Sequence, residues 1–341
     1  MNSFAGDIMT NSLSPQLLTP TDRQNRVEQL RNLVVDQVLA SSADGILFSG
    51  GLDTSVLAAI AASLGRRLQA VMVSVAEGTG LDEPFARLMV ERLRIDLEIL
   101  RPSLYELVDR MPELIRLLRT FDPMELRNSI ATHVAMEAAS KRGLSAVLTG
   151  DAADELFAGY SFMFNMSAEQ LPSYIRHLNE IMHFTSEVIG QNLSVRVDSP
   201  YVSPSVREFA ISLGYEDLVC EYKGKRFGKR ILREAFSALL PEEIAWRLKT
   251  PIEYGSGSTA LKHLTEQSVT DSEFERERER ATTHDSVKLR DKEQYFYYRI
   301  YRRSLPPPIE RAPGSKICKD CHGPVARADM TYCRICGAYP I

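Results

Sequence analysis

The chain reads as a doubly wound α/β protein, a parallel sheet with a helical C-terminal part and a small metal ribbon at its end. Three observations predict this. Short apolar runs alternate with segments of helical period through the first half. Two of those runs end in glycine beside hydroxyl or acidic residues, at Ser49-Gly50-Gly51 and at Thr149-Gly150-Asp151. Four of the five cysteines fall into two Cys-x-x-Cys pairs after residue 317.

The elements follow in order. At 341 residues with 44% hydrophobic content, the chain has room for two domains or one large one with a real core. Residues 1–20 are rich in Ser, Asn and Thr without periodicity and read as a flexible lead-in. From Thr21 to Leu39 the apolar positions Val27, Leu30, Val34 and Val38 keep a helical period. Ile46 to Phe48 is a strand, and Val56, Leu57, Ile60 and Leu64 mark the helix after it. Leu68 to Val75 is the next strand, close enough to form a βαβ unit. Helices at Glu83–Leu93, Leu104–Leu118 and Arg127–Arg142 and strands at Asp96–Leu100 and Leu144–Thr149 complete the pattern. Ligands of such a sheet bind beyond the C-terminal strand ends.

Composition excludes some classes of function. With 41 basic and 45 acidic residues the net charge is −4, so nothing global draws a polyanion. No run approaches the roughly 20 apolar residues that span a bilayer, and Met1 to Thr10 is not a secretory leader. A soluble, cytoplasmic protein is expected. Oligomeric state is left open.

Chemistry concentrates in three places. The Gly45–Leu57 stretch is a strand, a tight turn and a helix whose first amides point at an anion. Ser49, Thr54 and Ser55 add hydroxyls, and Asp53 a charge that suits Mg²⁺ beside phosphates. The same residues also fit a plain turn capped by Ser49. Further on, Asp151, Asp154 and Glu155 crowd a strand end, where with Asp53 they fit Mg²⁺ and a triphosphate, or else a solvated N-cap cluster. The third place is a basic run, Lys223, Lys225, Arg226, Lys229, Arg230 and Arg233, which fits a solvated face, a nucleic-acid patch or a phosphate clamp.

Ser49-Gly-Gly-Leu-Asp-Thr-Ser55 resembles the PP-loop of the ATP pyrophosphatases and lacks the Gly-Lys-Ser/Thr of a Walker loop. Gly150-Asp-Ala-Ala-Asp-Glu-Leu-Phe-Ala-Gly-Tyr160 is similar to the signature of the asparagine synthetase synthetase domain, whose family includes β-lactam and carbapenam synthetases. Gly228-Lys-Arg-Ile-Leu-Arg-Glu-Ala-Phe236, the stretch through Trp246 and Lys249 to Gly255-Ser-Gly257, and Asp291–Arg299 match it too. The resemblance therefore covers about residues 25 to 305.

That resemblance implies a PP-loop fold over residues 21–305 and an ATP-dependent ligase. Its substrate is a small carboxylate, adenylated with release of pyrophosphate and passed to ammonia or an amine. It places ATP and pyrophosphate at Ser49, Gly50, Gly51, Asp53, Thr54, Ser55, Leu47, Val73, Gly150 and Lys249, and Mg²⁺ at Asp53 and Asp154. Lys229 falls on the catalytic lysine, and Asp151 and Tyr160 lie near the reacting centre. Trp246 reads as core.

Departures qualify the substrate. Gly has become Ala at 152 and 158, which narrows backbone freedom. Where the family reads Glu-x-Arg-x-Pro-Phe-Leu-Asp, this chain reads Arg196-Val-Asp-Ser-Pro-Tyr-Val-Ser203. The swapped charges can keep one ion pair, while loss of the final acid at Ser203 puts aspartate in doubt. No cysteine stands near residue 2, so ammonia is expected free or from a partner glutaminase.

Two stretches remain. Glu273 to Arg280 alternates charge and reads as an exposed helix or a mobile insertion without chemistry. Residues 306–315 form a Pro-rich linker, and 316–341 a zinc ribbon, with Cys318, Cys321, Cys333 and Cys336 converging on Zn²⁺. His322 reads as a supporting or free residue. Two disulfides are the alternative. The ribbon's Lys316, Lys319, Arg327 and Arg334 leave RNA contact open. A second reading is thus a PP-loop enzyme that modifies tRNA, with Cys220 made reactive by Lys223, Lys225 and Arg226. A third is a non-catalytic nucleotide-binding partner subunit.

Overall fold

The computed structural model describes residues 19–312 and 314–341, so residues 1–18 of the expected lead-in, and Pro313 of the linker, lie outside it. The first helix, α1 (Pro20–Ala40), begins at Thr19, whose hydroxyl accepts from the Asp22 amide at 3.1 Å while Asp22 accepts from the Thr19 amide. Its stripe of Val27, Leu30, Val34 and Val38 is buried, as the period predicts.

Five parallel strands form the sheet: β1 (Gly45–Leu47), β2 (Gln69–Val73), β3 (Leu97–Leu100), β4 (Ala146–Leu148) and β5 (Arg196–Asp198), in the order β3-β2-β1-β4-β5. The chain starts in the middle, steps outward to β3, then returns to β4 on the other side of β1. This reversal opens a crevice at the C-terminal ends of β1 and β4. The strand β5 was not foreseen: it is three residues long and carries a charge at each end.

Helices cover both faces. Because strand side chains alternate, Ala70 and Met72 pack into one core while Val71 and Val73 pack into the other. The first core holds α1, α2 (Leu52–Ser63) and α3 (Glu83–Leu93). Against the other face lie α4 (Leu104–Leu118), α5 (Pro123–Lys141) and the Lys292–Ser304 helix. Among the described residues no helix is long and apolar enough to cross a membrane.

The C-terminal tail joins the second core. Val325, Met330, Ile335 and Ala338 are buried there together with all four tail cysteines. Phe121 packs edge-on against Tyr298 and Tyr301, with ring centres 4.9 and 5.2 Å apart. The alternating-charge segment forms a helix, Asp271–Asp285, tied down at Glu273, which accepts from the Tyr295 hydroxyl at 3.0 Å.

Candidate active site

The loop after β1 is held open by contacts rather than by its composition alone. Gly50 has φ +67°, and a Cβ there would stand 2.2 Å from the Ala86 amide nitrogen, so only glycine lets α3 approach. No side chain caps α2, leaving its first amides to a ligand. The Ser49 hydroxyl lies 3.2 Å from both the Thr54 hydroxyl and the Gly51 amide.

Ser49, Asp53 and Thr54 line a cavity of about 270 Å³, with Leu47, Val73 and Gly150. Ser55 is placed differently: it is fully buried, and its hydroxyl has no partner among the described residues. Gly50 and Gly51 shape the turn without lining the cavity.

Asp53 and Asp154, a hundred residues apart in sequence, meet at this crevice. Lys229 Nζ lies 2.8 and 2.7 Å from the two Asp53 oxygens and 2.6 Å from Asp154 Oδ1. Lys249 Nζ lies 2.8 Å from Asp154 Oδ2. Two ammoniums thus offset two buried carboxylates.

The pair titrates asymmetrically. Burial, with the neighbouring Asp154 charge, pushes Asp53 up against the lowering pull of Lys229 and Lys249. Burial acts on Asp154 as well, yet Lys229 and Lys249 together hold it below the usual carboxylate range. Lys249 is pushed up by the same acids against its own burial, and although exposed along its stem it turns its ammonium inward. Lys229 is almost fully buried, lies between the two acids and does not itself line the cavity.

Backbone geometry forces this convergence. Ala152, Ala158 and Lys229 adopt φ of 75°, 58° and 57°, a region side chains disfavour. The two alanines noted as departures from glycine therefore sit where glycine would be easiest. Gly159 has no such freedom to give up: a Cβ would lie 1.8 Å from Asp154 Oδ1 and 2.5 Å from Lys229 Cε.

Asp151 accepts from the hydroxyls of Thr149 at 2.8 Å and Ser186 at 2.5 Å and has no cationic partner among the described residues. Burial pushes its carboxyl up. Glu155 forms no ion pair with Lys229 or Lys249 among the described residues. It accepts from the Tyr160 hydroxyl at 2.6 Å and is raised by burial. Burial raises the Tyr160 phenol far above its ordinary value, so it keeps its proton.

Several supporting residues escaped the sequence reading. Buried Tyr201 donates to the Asp53 carbonyl at 3.1 Å. Arg247 pairs with Asp82, donates to the Gly50 carbonyl and lies 3.8 Å from the Phe85 ring centre. Helix α5 adds Ala131, Thr132 and Ala135 to the wall, and Ile252 and Ser256 add another side. Sequence signals for these were weak, since an aromatic or an alanine usually reads as core.

The basic run does not form one patch. Lys223 pairs with Glu242, Arg230 with Glu234, and buried Arg233 donates to the Gly228 and Ala245 carbonyls. Cys220 corrects an expectation: burial pushes its thiol up, outweighing Arg230 and Arg233, so it is not activated as a thiolate. Arg196 and Asp198 keep an ion pair at 2.8 Å, and the Ser203 hydroxyl has no partner among the described residues. Trp246 stacks on Tyr222 with ring centres 3.9 Å apart.

At the tail, Cys318, Cys321, Cys333 and Cys336 bring their sulfurs within 4.8 Å of one another, all buried and none in a disulfide. His322 turns away, its Nδ1 lying 2.6 Å from the Ser286 carbonyl. Lys316 donates to the Met330 and Ile341 carbonyls, Arg327 pairs with Glu180 and Asp329, and Arg334 donates to the Ile181 carbonyl.

Comparison with known proteins bears on the family of the chain. The chain is 26% identical to asparagine synthetase B [glutamine-hydrolyzing] of Escherichia coli (strain K12), covering 86% of this chain and 56% of that one. It is 27% identical to a probable asparagine synthetase of Schizosaccharomyces pombe, over 75% of this chain and 51% of the relative. It thus spans about half the length of these relatives. Among solved structures, NMN synthetase from Francisella tularensis matches at 15% identity and a TM-score of 0.38, covering 83% and 94% of the two chains. A U34-tRNA thiolase from Methanococcus maripaludis, solved with its [4Fe-4S] cluster, matches at 14% and 0.31, covering 89% and 85%. The asparagine synthase family model matches residues 27–188 and 185–316, and the chain belongs to that family.

Proposed function

We propose that the protein adenylates a small-molecule carboxylate with ATP, releases pyrophosphate, and passes the acyl group to ammonia or an amine. The observation that carries this reading is the cluster of Lys229 and Lys249 on Asp53 and Asp154, beside uncapped α2 amides at the sheet's crevice. Anionic phosphates and a divalent ion are what such a cradle accepts.

Asp53 and Asp154 already enclose one cationic group between them, so their oxygens suit Mg²⁺. When bound, Mg²⁺ would neutralise charge on the phosphates. In the first step a carboxylate oxygen attacks the α-phosphorus and the bond to pyrophosphate breaks. Lys229 and Lys249 stabilise the charge that builds on the leaving group. In the second step the amine attacks the acyl carbon, AMP departs with its oxygen, and a proton leaves the nitrogen.

Asp151 lines the cavity, and burial raises its carboxyl, which supports its taking that proton. Tyr160 keeps its proton and orients the nucleophile. The loss of the acid at Ser203 argues for a carboxylate other than aspartate. Nitrogen would arrive as free ammonia or from a partner glutaminase. At the tail, two sulfur pairs lie 3.7 Å apart, close to the ~3.8 Å edge of a tetrahedron with zinc–sulfur bonds of about 2.3 Å, so the four cysteines fit Zn²⁺.

A pyrophosphate-release screen tests the function. Mg·ATP is offered with aspartate, other carboxylates or total tRNA, with and without ammonium. Pyrophosphate that depends on one carboxylate is the expected result. Release that depends on tRNA would replace this reading with an RNA-modifying one, and ATP binding without any release would make the protein a nucleotide-binding subunit.

A further inference from the structure

We propose that the metal held by the four tail cysteines is a positioning device for the active-site wall, acting through the N-terminus of α5. This rests on the zinc reading above and goes beyond it by stating what the ion does. The knuckle Cys333–Cys336 faces inward. Its Ile335 carbonyl accepts from the Thr120 hydroxyl at 3.1 Å and from the Phe121 amide at 2.8 Å. The Cys336 carbonyl accepts from Gln294 Nε2 at 2.7 Å and from Arg290 at 3.0 Å, which also donates to the Gly337 carbonyl.

Those contacts converge on the start of α5. Asp122 caps that helix, accepting from the Met124 amide at 3.2 Å, and its other oxygen accepts from the Tyr332 hydroxyl, next to Cys333. The Asp122 amide in turn donates to the Thr120 hydroxyl at 3.1 Å. Three turns on, α5 presents Ala131, Thr132 and Ala135 to the cavity. Its first turns also fix the opposite wall: Asn128 accepts from the Glu253 amide at 3.2 Å, and Ser258 donates to the Arg127 carbonyl at 2.7 Å.

On this proposal the Ile335 carbonyl holds Thr120 and Phe121, and the Cys336 carbonyl holds Gln294, only while the two cysteine pairs are clamped. One ion does this by tying Cys318 and Cys321 to Cys333 and Cys336, whose short segment has little core of its own. The tight sulfur spacing suits a single ion; a four-iron cluster would spread the thiolates into a wider cage.

The test uses the full chain and two variants outside the cysteines, Thr120→Val and Tyr332→Phe, with Arg327→Ala on the outer surface as control. Metal content is measured first, and one zinc per chain is expected in all four proteins. Hydrogen exchange then reads the α5 amides, and titration reads ATP affinity. The two inward variants should lose protection in α5 and bind ATP about fivefold more weakly, the loss expected for one hydrogen bond, while the control matches wild type. Full zinc with unchanged α5 exchange in both variants would overturn the inference. Absence of zinc, or an iron–sulfur absorbance, would overturn the metal reading beneath it. Failure of adenylation would instead appear as wild-type protein that binds ATP but releases no pyrophosphate with any carboxylate, with the α5 exchange and ATP-affinity results still standing.

Discussion

The crevice and the tail solve the same problem, buried charge, in opposite ways. At the crevice, Asp53 and Asp154 are offset by Lys229 and Lys249 from the chain itself. At the tail, four sulfurs crowd together, and among the described residues no lysine or arginine side chain donates a hydrogen bond to them. On the proposed reading the crevice would fold before its ligand arrives, whereas the tail would need a metal in order to fold. On that reading the first would receive phosphate and the second would belong to the frame.

The largest effect should come from breaking the tail. Cys336→Ser removes one of four thiolates and is expected to lower the melting temperature by more than 10 °C with loss of metal, since structural zinc supplies many kcal/mol of folding energy. Calorimetry beside metal analysis checks this. An unchanged melting temperature in metal-free protein would erase the contrast between the two regions.

Lys229→Ala attacks the other side. Pyrophosphate release should fall by about 10²- to 10³-fold while ATP still binds, and stability should drop by about 3 kcal/mol because two buried carboxylates lose their shared cation. Turnover equal to wild type would remove Lys229 from catalysis.

Acid–base behaviour sharpens the comparison within the crevice. Asp154 has a lowered folded pKa, so it contributes stability present above the ordinary carboxylate value and lost as pH falls through the folded one. Asp151 is raised, so its contribution is full below the ordinary value and lost as pH rises through the folded one. Asp151→Asn should therefore gain on the order of 1 kcal/mol at pH 7 while losing activity, and the gain should vanish below about pH 4. Denaturant unfolding across pH measures it, and a loss of stability at pH 7 would refute the assignment.

The smallest change is expected at Ala158. Ala158→Gly relieves a left-handed alanine but adds freedom to the unfolded chain and removes a buried methyl, so stability should shift by less than about 1 kcal/mol. A shift of several kcal/mol would mean that the strain there is not what its φ suggests.

Much of this was legible in the residues. The alternation of apolar runs and helical periods gave β1 to β4 and the helices between them, because burial on a two-faced sheet imposes those periods. The motifs brought Asp53, Asp154, Lys229 and Lys249 into one list, but not the fact that Lys229 lies between the acids. That depends on the left-handed backbone at Ala158 and Lys229, which residue type disfavours. Strand β5 was hidden by its three residues and two charges. The inward docking of the tail was hidden too, since Leu305-Pro-Pro-Pro308 resembles a spacer while Pro308 is in fact buried. Tyr201 and Arg247 act through backbone carbonyls, and carbonyls leave no trace in a sequence.

Isotope transfer tests carboxylate adenylation directly. With the carboxylate identified by the screen labelled with ¹⁸O, the AMP formed is analysed by mass. Attack of that carboxylate on the α-phosphorus leaves one labelled oxygen in AMP when the amine displaces it. AMP carrying the label is the predicted result, and unlabelled AMP, or ADP with inorganic phosphate, would contradict it.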